Sequence, residues 1–243
     1  MEKKYKLTEE TINVSGRTLY RIEALKDFNN VIKGGKGGFI EKEDNLSQSG
    51  NCWVYNDAKV YGDARVYGDA RVYDNANVYC SAQVYDNAIV YGDARVCGNA
   101  IVRGNTRVFE NAVVYGNAQV YGNAVVCDNA DVYGDAKIYG NGFVYGNAFV
   151  CENAEVCGYA KVNGYAEIYG DAVIARTLDY IVFKNWWSSG RHFTWTRSND
   201  MWKVGCFYGT GKELIEKAYK DSVLSGREYK RVVDYVESIL KFQ

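Results

Sequence analysis

Residues 60–71 read VYGDARVYGDAR, which is two copies of one six-residue unit. The unit runs from residue 54 to residue 174, where an aliphatic residue stands at every sixth position, 21 times in succession. Eighteen of these residues are Val and three are Ile, and the position two before each of them is Ala in 18 cases. A short fixed period is typical of a solenoid, in which each repeat packs only on its neighbours.

Each unit predicts a short strand followed by a turn. Ala64 and Val66 share one face of the strand by alternation, and Arg65 and Tyr67 share the other. Gly68 and Asp69 then supply the turn, because Gly and Asp accept backbone angles that other residues avoid. A chain that turns every six residues closes a triangle in three units. Seven coils of about 4.8 Å each predict a shaft roughly 30–35 Å long, with Ala and Val inside.

The unit aliphatic–x–Gly–Asn/Asp–Ala–x resembles the hexapeptide signature of left-handed parallel β-helices. This resemblance covers about half of the chain and implies the handedness, which periodicity does not show. The predicted fold is an all-β solenoid, a left-handed parallel β-helix of about seven triangular coils, with a small α+β C-terminal domain. We expect an N-terminal cap at 1–50, the β-helix at 51–175 and an α+β head at 176–243.

The two ends lack the repeat. Short strands are predicted at 5–7 and 18–22, in a segment that covers the open edge of the first coil. Strand-like stretches at 179–187, 192–196 and 201–208 predict a three-stranded meander in the head. Capping boxes at Thr210 and Ser225 predict two helices, to about residues 220 and 242. Residues 24–41, followed by 45–47, resemble the N-terminal cap of hexapeptide-repeat proteins found in enterobacteria, prophages and phages. The motif Gly205-Cys206-Phe207-x-Gly209-Thr210-x-x-Glu213-Leu214, with Glu228-Tyr229, resembles the C-terminal module of the phage and prophage proteins.

Charge is distributed unevenly along a chain whose net charge is −1. Residues 54–175 hold 8 Lys/Arg and 14 Asp/Glu, a net charge of −6, whereas residues 176–243 hold 12 and 8, a net charge of +4. An acidic shaft argues against a nucleic-acid partner. The sequence shows no apolar signal core and no stretch of about 18 apolar residues. We therefore expect no membrane association and a cytoplasmic location, the host cytosol if a phage encodes the chain.

Cysteine spacing argues against disulfides and metal sites. No two Cys of the repeat are 18 residues apart, and Cys97 and Cys151 share a wall three coils apart, about 14 Å against a limit of about 7 Å. No Cys pair has the spacing of a zinc knuckle, and His192 is the one histidine. We expect no metal and no other cofactor.

Known hexapeptide proteins include acyltransferases and some carbonic anhydrases, and the resemblance implies a catalytic His or a trio of His ligands near an inserted loop. The shaft has no His and no inserted loop. The glycine clusters at 34–38 and 209–212 do not fit a phosphate-binding loop. Thr106 is the one Thr of the repeat and points inward, so no ice-binding ladder exists. We therefore expect a protein without enzymatic activity, with a degenerate acyltransferase as an alternative.

One wall of the shaft, which we call wall one, is the most apolar. An apolar surface of this extent often marks an interface, although stacked aromatic rings on a sheet also stabilise strand pairing without any partner. Wall one is a candidate interface with another chain, which includes a second copy in a homo-oligomer, or with the C-terminal segment. Its candidate residues are Trp53, Tyr55, Tyr73, Ile89, Tyr91, Phe109, Val125, Phe143 and Tyr145.

The head is rich in aromatic and cationic side chains. About half of its aromatics must form its own core, and the remainder is a candidate binding surface. The candidates are Trp186, Trp187, Arg191, His192, Trp195, Arg197, Trp202, Lys203 and Tyr208. Tyr159 and Tyr165 replace the Asp/Asn of two successive turns, so we expect the head to dock at these corners.

These features predict a rigid shaft that presents a head for binding a macromolecule, and the expected partner is a protein. The phage resemblance implies a role on host machinery, and the most concrete hypothesis is an inhibitor of host defence. A self-assembling scaffold that uses wall one is a second hypothesis.

Overall fold

The computed structural model describes residues 2–240, and most of these residues form a triangular parallel β-helix. The N-terminal strands are β1 (Tyr5–Val14), β2 (Arg17–Ala24) and β3 (Lys36–Ile40), followed by a 3₁₀ turn at Glu43–Asn45. The shaft then holds 21 strands of two residues each, one per hexad. They are β4 (Trp53–Val54), β5 (Lys59–Val60), β6 (Arg65–Val66), β7 (Arg71–Val72), β8 (Asn77–Val78), β9 (Gln83–Val84), β10 (Ile89–Val90), β11 (Arg95–Val96), β12 (Ile101–Val102), β13 (Arg107–Val108), β14 (Val113–Val114), β15 (Gln119–Val120), β16 (Val125–Val126), β17 (Asp131–Val132), β18 (Lys137–Ile138), β19 (Phe143–Val144), β20 (Phe149–Val150), β21 (Glu155–Val156), β22 (Lys161–Val162), β23 (Glu167–Ile168) and β24 (Val173–Ile174).

Every third strand of the shaft stacks in parallel, so the shaft has three walls. Wall one runs from β4 to β22, and a second wall runs from β6 to β24. The register is 18 residues, with Val54 opposite Val72 and Val60 opposite Val78. The Ala and Val side chains of the hexads are fully buried in the shaft interior. The predicted triangular solenoid is therefore confirmed.

The solenoid has about eight turns, because part of the expected cap forms a further coil. Strand β3 pairs in parallel with β5, placing Phe39 opposite Lys59, and Leu46 bridges to Val66. The strands of the cap are also longer than predicted. β1 and β2 form an antiparallel hairpin around Ser15 and Gly16, whose φ angles of 51° and 81° are those of a tight hairpin turn.

The turns explain both residues of the Gly–Asp/Asn pair. The first turn residue lies in the left-handed region, with φ of 70° at Gly62 and 57° at Asp74. The second is often Asn, whose amide donates to the Asn or Asp at the equivalent position one coil further on. Asn99 Nδ2 donates to Asn117 Oδ1 at 3.0 Å, and Asn117 Nδ2 donates to Asp135 Oδ1 at 3.0 Å. The corners of the shaft are therefore held by side-chain ladders as well as by the backbone.

The head is a four-stranded antiparallel sheet covered by two helices. After a 3₁₀ turn at Thr177–Asp179, the sheet holds β25 (Tyr180–Lys184), β26 (His192–Thr196), β27 (Met201–Val204) and β28 (Phe207–Gly209) in sequence order. The prediction of three strands was one strand too few, because Gly205 turns the last predicted strand back on itself with a φ of 53°.

The helices are α1 (Gly211–Asp221) and α2 (Val223–Leu240). The predicted capping box of α1 is present, since Thr210 Oγ1 accepts a hydrogen bond from Glu213 N. The predicted start of α2 at Ser225 was wrong: the helix begins at Val223, and Ser222 Oγ accepts from Ser225 N at 3.0 Å. The predicted end at about residue 242 lies outside the described residues.

The head closes the open end of the shaft with hydroxyl groups. Within the shaft the N–H of an outward-facing residue donates to a carbonyl 17 residues further on, as Arg65 N does to Ala82 O at 2.9 Å. The last coil has no following coil. Side-chain hydroxyls of Thr177, Tyr180, Thr194 and Ser198 instead accept from the backbone N–H groups of Lys161, Asn163, Glu167 and Val173, at 2.7–3.2 Å.

None of the helices between residues 2 and 240 has the length and apolar character needed to cross a membrane.

Candidate functional site

A cleft of about 480 Å³ lies where the head meets the last coils of the shaft. Its shaft side is the turn Asn163–Gly164–Tyr165 between β22 and β23, and its head side is formed by β25 and the first residue of β26. The cleft is wide and open to solvent, so it would enclose a ligand only in part. The cleft contains His192, the single histidine of the chain.

His192 is positioned by a ring from the shaft. Its imidazole stacks on Tyr165 with a centroid distance of 4.3 Å and an interplanar angle of 6°. Tyr165 stands in a turn slot that holds Asp or Asn in most hexads, and it remains 54% exposed. Neither imidazole nitrogen forms a hydrogen bond with another residue of the described range 2–240, so both face the cleft or solvent. The imidazole can therefore exchange a proton with a bound molecule.

The floor of the cleft is fixed by hydrogen bonds. The Tyr180 hydroxyl accepts from Asn163 N at 3.2 Å and donates to Lys161 O at 3.2 Å. Asn163 Nδ2 donates to the hydroxyl of Tyr145 at 2.6 Å. Burial raises the pKa of Tyr180 above its usual value, so this hydroxyl stays protonated at neutral pH. The groups available to a ligand are thus one imidazole, aromatic ring faces and neutral polar atoms.

Metal ligation is not supported by the described part of the chain. Residues 2–240 contain no group of three His, Cys, Asp or Glu side chains that are arranged to hold a metal ion. The seven cysteines are all free thiols; Cys52 and Cys127, for example, are buried, and Cys80 is exposed.

Several predicted head residues are structural. Trp195 and Trp202 are each 2% exposed and form the core beneath the helices, so they do not belong to a binding surface. Trp195 Nε1 donates to Asp200 Oδ1 at 2.8 Å, which satisfies its buried polar atom. Alternation along β26 places Phe193 and Trp195 on one face, but alternation alone does not show that both helices cover that face.

Lys203 and Tyr208 attach the head to the shaft. The ammonium of Lys203 lies 4.7 Å from the centroid of the Tyr169 ring and 3.8 Å from a Glu167 carboxylate oxygen. The ring of Tyr208 lies 4.9 Å from that of Tyr169. Both side chains were predicted as binding residues, and the structure uses them for docking within the chain.

The remaining predicted head residues lie near the loop between β25 and β26, with one exception. Trp186 is 80% exposed, Arg191 is exposed, and Trp187 packs edge-on against Tyr229 with a centroid distance of 5.4 Å. Arg197 is half-buried at the end of β26, where its backbone N–H donates to Asp179 O at 2.8 Å. Trp186 and Arg191 are therefore the accessible aromatic and cation of the predicted set.

Wall one is clad by its own rings. Trp53 is 1% exposed because Tyr5 and Phe28 of the cap pack edge-on against it, at 6.0 and 5.2 Å. The predicted Trp53 is thus a covered residue of the cap interface. The other predicted members, which include Ile89 and Val125, are half-buried. Their rings pair as Tyr55–Tyr73 at 4.3 Å, Tyr91–Phe109 at 4.7 Å and Phe143–Tyr145 at 4.6 Å.

The two candidate docking corners differ. Tyr165 contacts the head through His192, whereas Tyr159 is 81% exposed. The hydroxyls that close the shaft were missed by sequence reasoning. The sequence does contain an indication of this role. Thr194 and Thr196 alternate with the core residues Phe193 and Trp195, so they lie on the opposite face of the strand, towards the shaft.

Two comparisons relate the chain to known proteins. The family model described as the YdcK β-solenoid repeat matches residues 58–74 and 82–97. A protein of Escherichia coli (strain K12), described as "Uncharacterized acetyltransferase YdcK", is 42% identical over an alignment of 62 residues, and the match covers 22% of this chain and 19% of that protein. The match therefore spans about a fifth of each protein.

The name of this relative corrects one expectation. The absence of His from the shaft predicted a protein without enzymatic activity, and that prediction is contradicted by a similar protein that is named an acetyltransferase. The fold brings His192 of the head against the shaft corner at Tyr165, so an imidazole lies beside the shaft although the hexads themselves contain none.

Proposed function

We propose that this chain is an acyltransferase of the hexapeptide-repeat type, and that the cleft around His192 is its acyl-transfer site. The carrying observation is the placement of the chain's one imidazole in a cleft between head and shaft, stacked on Tyr165. The acetyltransferase name of the E. coli relative supports the reaction class. The relative's name gives no acceptor, so the acceptor is proposed only as a hydroxyl or an amine.

The reaction assigns one role to His192. An imidazole nitrogen removes the proton of the acceptor hydroxyl or amine while that atom attacks the carbonyl carbon of an acyl thioester. The C–S bond then breaks, the acyl group stays on the acceptor, and the imidazolium returns the proton to the departing thiolate. A positioned base of this kind contributes about 10²–10⁴-fold to the rate. Tyr165 is a positioning residue, since its ring holds the plane of the imidazole.

The test measures thiol release from acetyl-coenzyme A in the presence of hydroxyl and amine acceptors. His192→Gln is expected to lower kcat by about 100-fold with little change in KM. Tyr165→Leu removes the stacking ring and is expected to have a smaller effect, carried mainly by kcat. Trp186→Ala is the matched control, because Trp186 is an exposed aromatic of the same head and does not line the cleft.

Two results would overturn the proposal. One is a chain that neither releases thiol nor gains thermal stability from acetyl-coenzyme A, since a ligand that binds the native state must raise its stability. The other is turnover that His192→Gln leaves unchanged.

A second candidate function is the binding of a macromolecular partner by the loop between β25 and β26. The observation that favours it is Trp186, which is 80% exposed beside the exposed Arg191. Trp and Arg are the residue types that most often carry binding energy at interfaces. That the partner is a host protein, and that binding inhibits host defence, rests only on the phage resemblance of the two ends. The test is affinity capture from a bacterial host with the full chain, followed by measurement of how tightly the captured protein binds the natural chain and Trp186→Ala. Equal affinity for both forms would exclude this loop as the binding site.

A further inference from the structure

The sheet of the head has an open edge at β25. The strand order is β25-β26-β27-β28, so β25 pairs with β26 on one side and with no strand of the described residues on the other. Its sequence, Tyr-Ile-Val-Phe-Lys, is made of residue types that favour strands. Four of its five residues are half-buried, and Lys184 is exposed.

The register shows which backbone groups face outward. Asn185 N donates to Arg191 O at 2.7 Å, and Arg197 N donates to Asp179 O at 2.8 Å. In an antiparallel pair the bonded positions alternate, so Ile181 and Phe183 also bond to β26. Tyr180, Val182 and Lys184 therefore direct their N–H and C=O groups away from the sheet. Within residues 2–240 none of these six groups has a hydrogen-bond partner.

This edge lacks the usual protection against pairing. Edge strands are commonly blocked by Pro, by a β-bulge or by a charge in the middle of the strand. The chain contains no Pro, and β25 pairs with β26 over five residues without a shift in register. The one charge of the strand is Lys184, at its end.

The strand is complementary to a second copy of itself. Antiparallel pairing about Val182 would place Val182 opposite Val182 of the second copy, and Tyr180 opposite the second Lys184. All six outward groups of each copy would then be bonded in six hydrogen bonds. On the other face Ile181 would lie opposite the second Phe183, which is a favourable pair of β-branched and aromatic side chains. No like charges would face each other in this register.

We propose that β25 pairs with β25 of a second copy of this chain, joining the two head sheets into one eight-stranded antiparallel sheet. The partner is a second copy because one register satisfies every outward backbone group and matches every facing side chain. The pairing does not rest on the proposed acyl transfer, and it differs from assembly through wall one.

The test compares three forms of the full chain by sedimentation over a wide range of concentration. The natural chain is expected to pass from 27.3 kDa to twice that mass. Lys184→Pro removes an outward N–H from each copy and breaks no bond within the sheet, so the dissociation constant should rise at least about tenfold. Lys184→Ala keeps the N–H and is the matched control, with a change of a few-fold at most. A monomer of the natural chain at every concentration, or a dimer that Lys184→Pro leaves unchanged, would overturn the proposal, and the second outcome would direct attention to wall one.

Hydrogen exchange of the natural chain avoids any concern about misfolded variants. The amides of Tyr180, Val182 and Lys184 should exchange more slowly at high than at low concentration, while those of Ile181 and Phe183 should be slow at both. Equal exchange of the three outward amides at both concentrations would exclude β25 as the interface.

Discussion

Thr106 departs from the repeat in a way that has an energetic consequence. It stands in the inward slot that Ala fills in 18 of 21 hexads, and its side chain is fully buried. Within the described residues its Oγ1 has no hydrogen-bond partner. A buried polar atom without a partner costs about 1–3 kcal/mol. The shaft therefore carries a local loss of stability at this coil.

Thr106→Val should stabilise the protein, because Val keeps the shape of Thr and removes the unpaired hydroxyl. We expect the free energy of unfolding to rise by about 1 kcal/mol, measured by denaturant titration. Thr106→Ser is the control: it keeps the hydroxyl and removes a packed methyl group, so stability should fall. An unchanged or lower stability of Thr106→Val would show that the hydroxyl is satisfied in solution.

At the residue scale, sequence predicted which side chains point inward but not every turn. The inward slots follow from alternation, and the structure buries Ala64 and Val66 as expected. The left-handed turn position is usually Gly, yet Cys80 and Glu110 occupy it with φ angles of 60° and 57°. The backbone preferences of Cys and Glu do not predict this left-handed conformation. The turn adopts it because the coils above and below hold the backbone in place.

At the scale of elements, the ends of the shaft decide how the other segments are used. The cap forms only part of a coil ahead of the hexads, so some carbonyl groups of the first hexads lack a backbone donor. Asn45 Nδ2 donates to Gly62 O and Ala64 O at 3.0 and 2.9 Å, and the ammonium of Lys4 donates to Cys52 O at 2.9 Å. Burial lowers the pKa of Lys4. The last coil has N–H groups that no following coil can accept from, and hydroxyl groups of the head act as their acceptors. The cap and the head are thus chemically matched to opposite ends of the shaft.

The hydroxyl of Thr194 should contribute measurably to the attachment of the head. It accepts from Glu167 N at 2.9 Å, and Thr194 is 1% exposed. Thr194→Val retains the shape and leaves the Glu167 N–H buried without an acceptor, so we expect a loss of about 1–3 kcal/mol in the free energy of unfolding, together with faster hydrogen exchange at Glu167.

Thr194→Ser separates this effect from packing, because Ser keeps the acceptor. Its loss should be smaller than that of Thr194→Val, and the Glu167 amide should remain protected. Equal exchange of the Glu167 amide in both variants would contradict the role given to the hydroxyl.

The candidate site illustrates what sequence could not provide at this scale. Tyr165 was predicted as a docking corner because a large ring replaced the Asp/Asn of the turn, and His192 was considered separately as a lone residue of the head. Their contact joins residues 27 positions apart across two different elements. Periodicity describes the neighbours of a residue within the shaft and carries no information on where a non-repeating sheet will lie on it.

At the scale of the whole molecule, the shaft is a stack of equivalent coils. Residues 18 apart occupy the same wall, the same face and the same ladder, as Val113 and Asp131 do in neighbouring strands. The cap contacts only the first coils, and the head is attached to the last ones. The number of coils in between is therefore not dictated by either end.

Removing one complete coil should thus shorten the protein without changing its fold. Deletion of residues 112–129 joins Asn111 to Ala130 and keeps the order of hexad positions. We expect a cooperative unfolding transition, an unchanged near-ultraviolet circular dichroism of the head, and a maximum dimension in small-angle scattering that is shorter by about 4.8 Å. Deletion of residues 112–126 is the control: it removes fewer residues but joins Asn111 to Cys127, which turns inward side chains outward in the following strand. The 15-residue deletion should lose the cooperative transition, and the equivalence of the coils would be refuted if it folded as well as the 18-residue deletion.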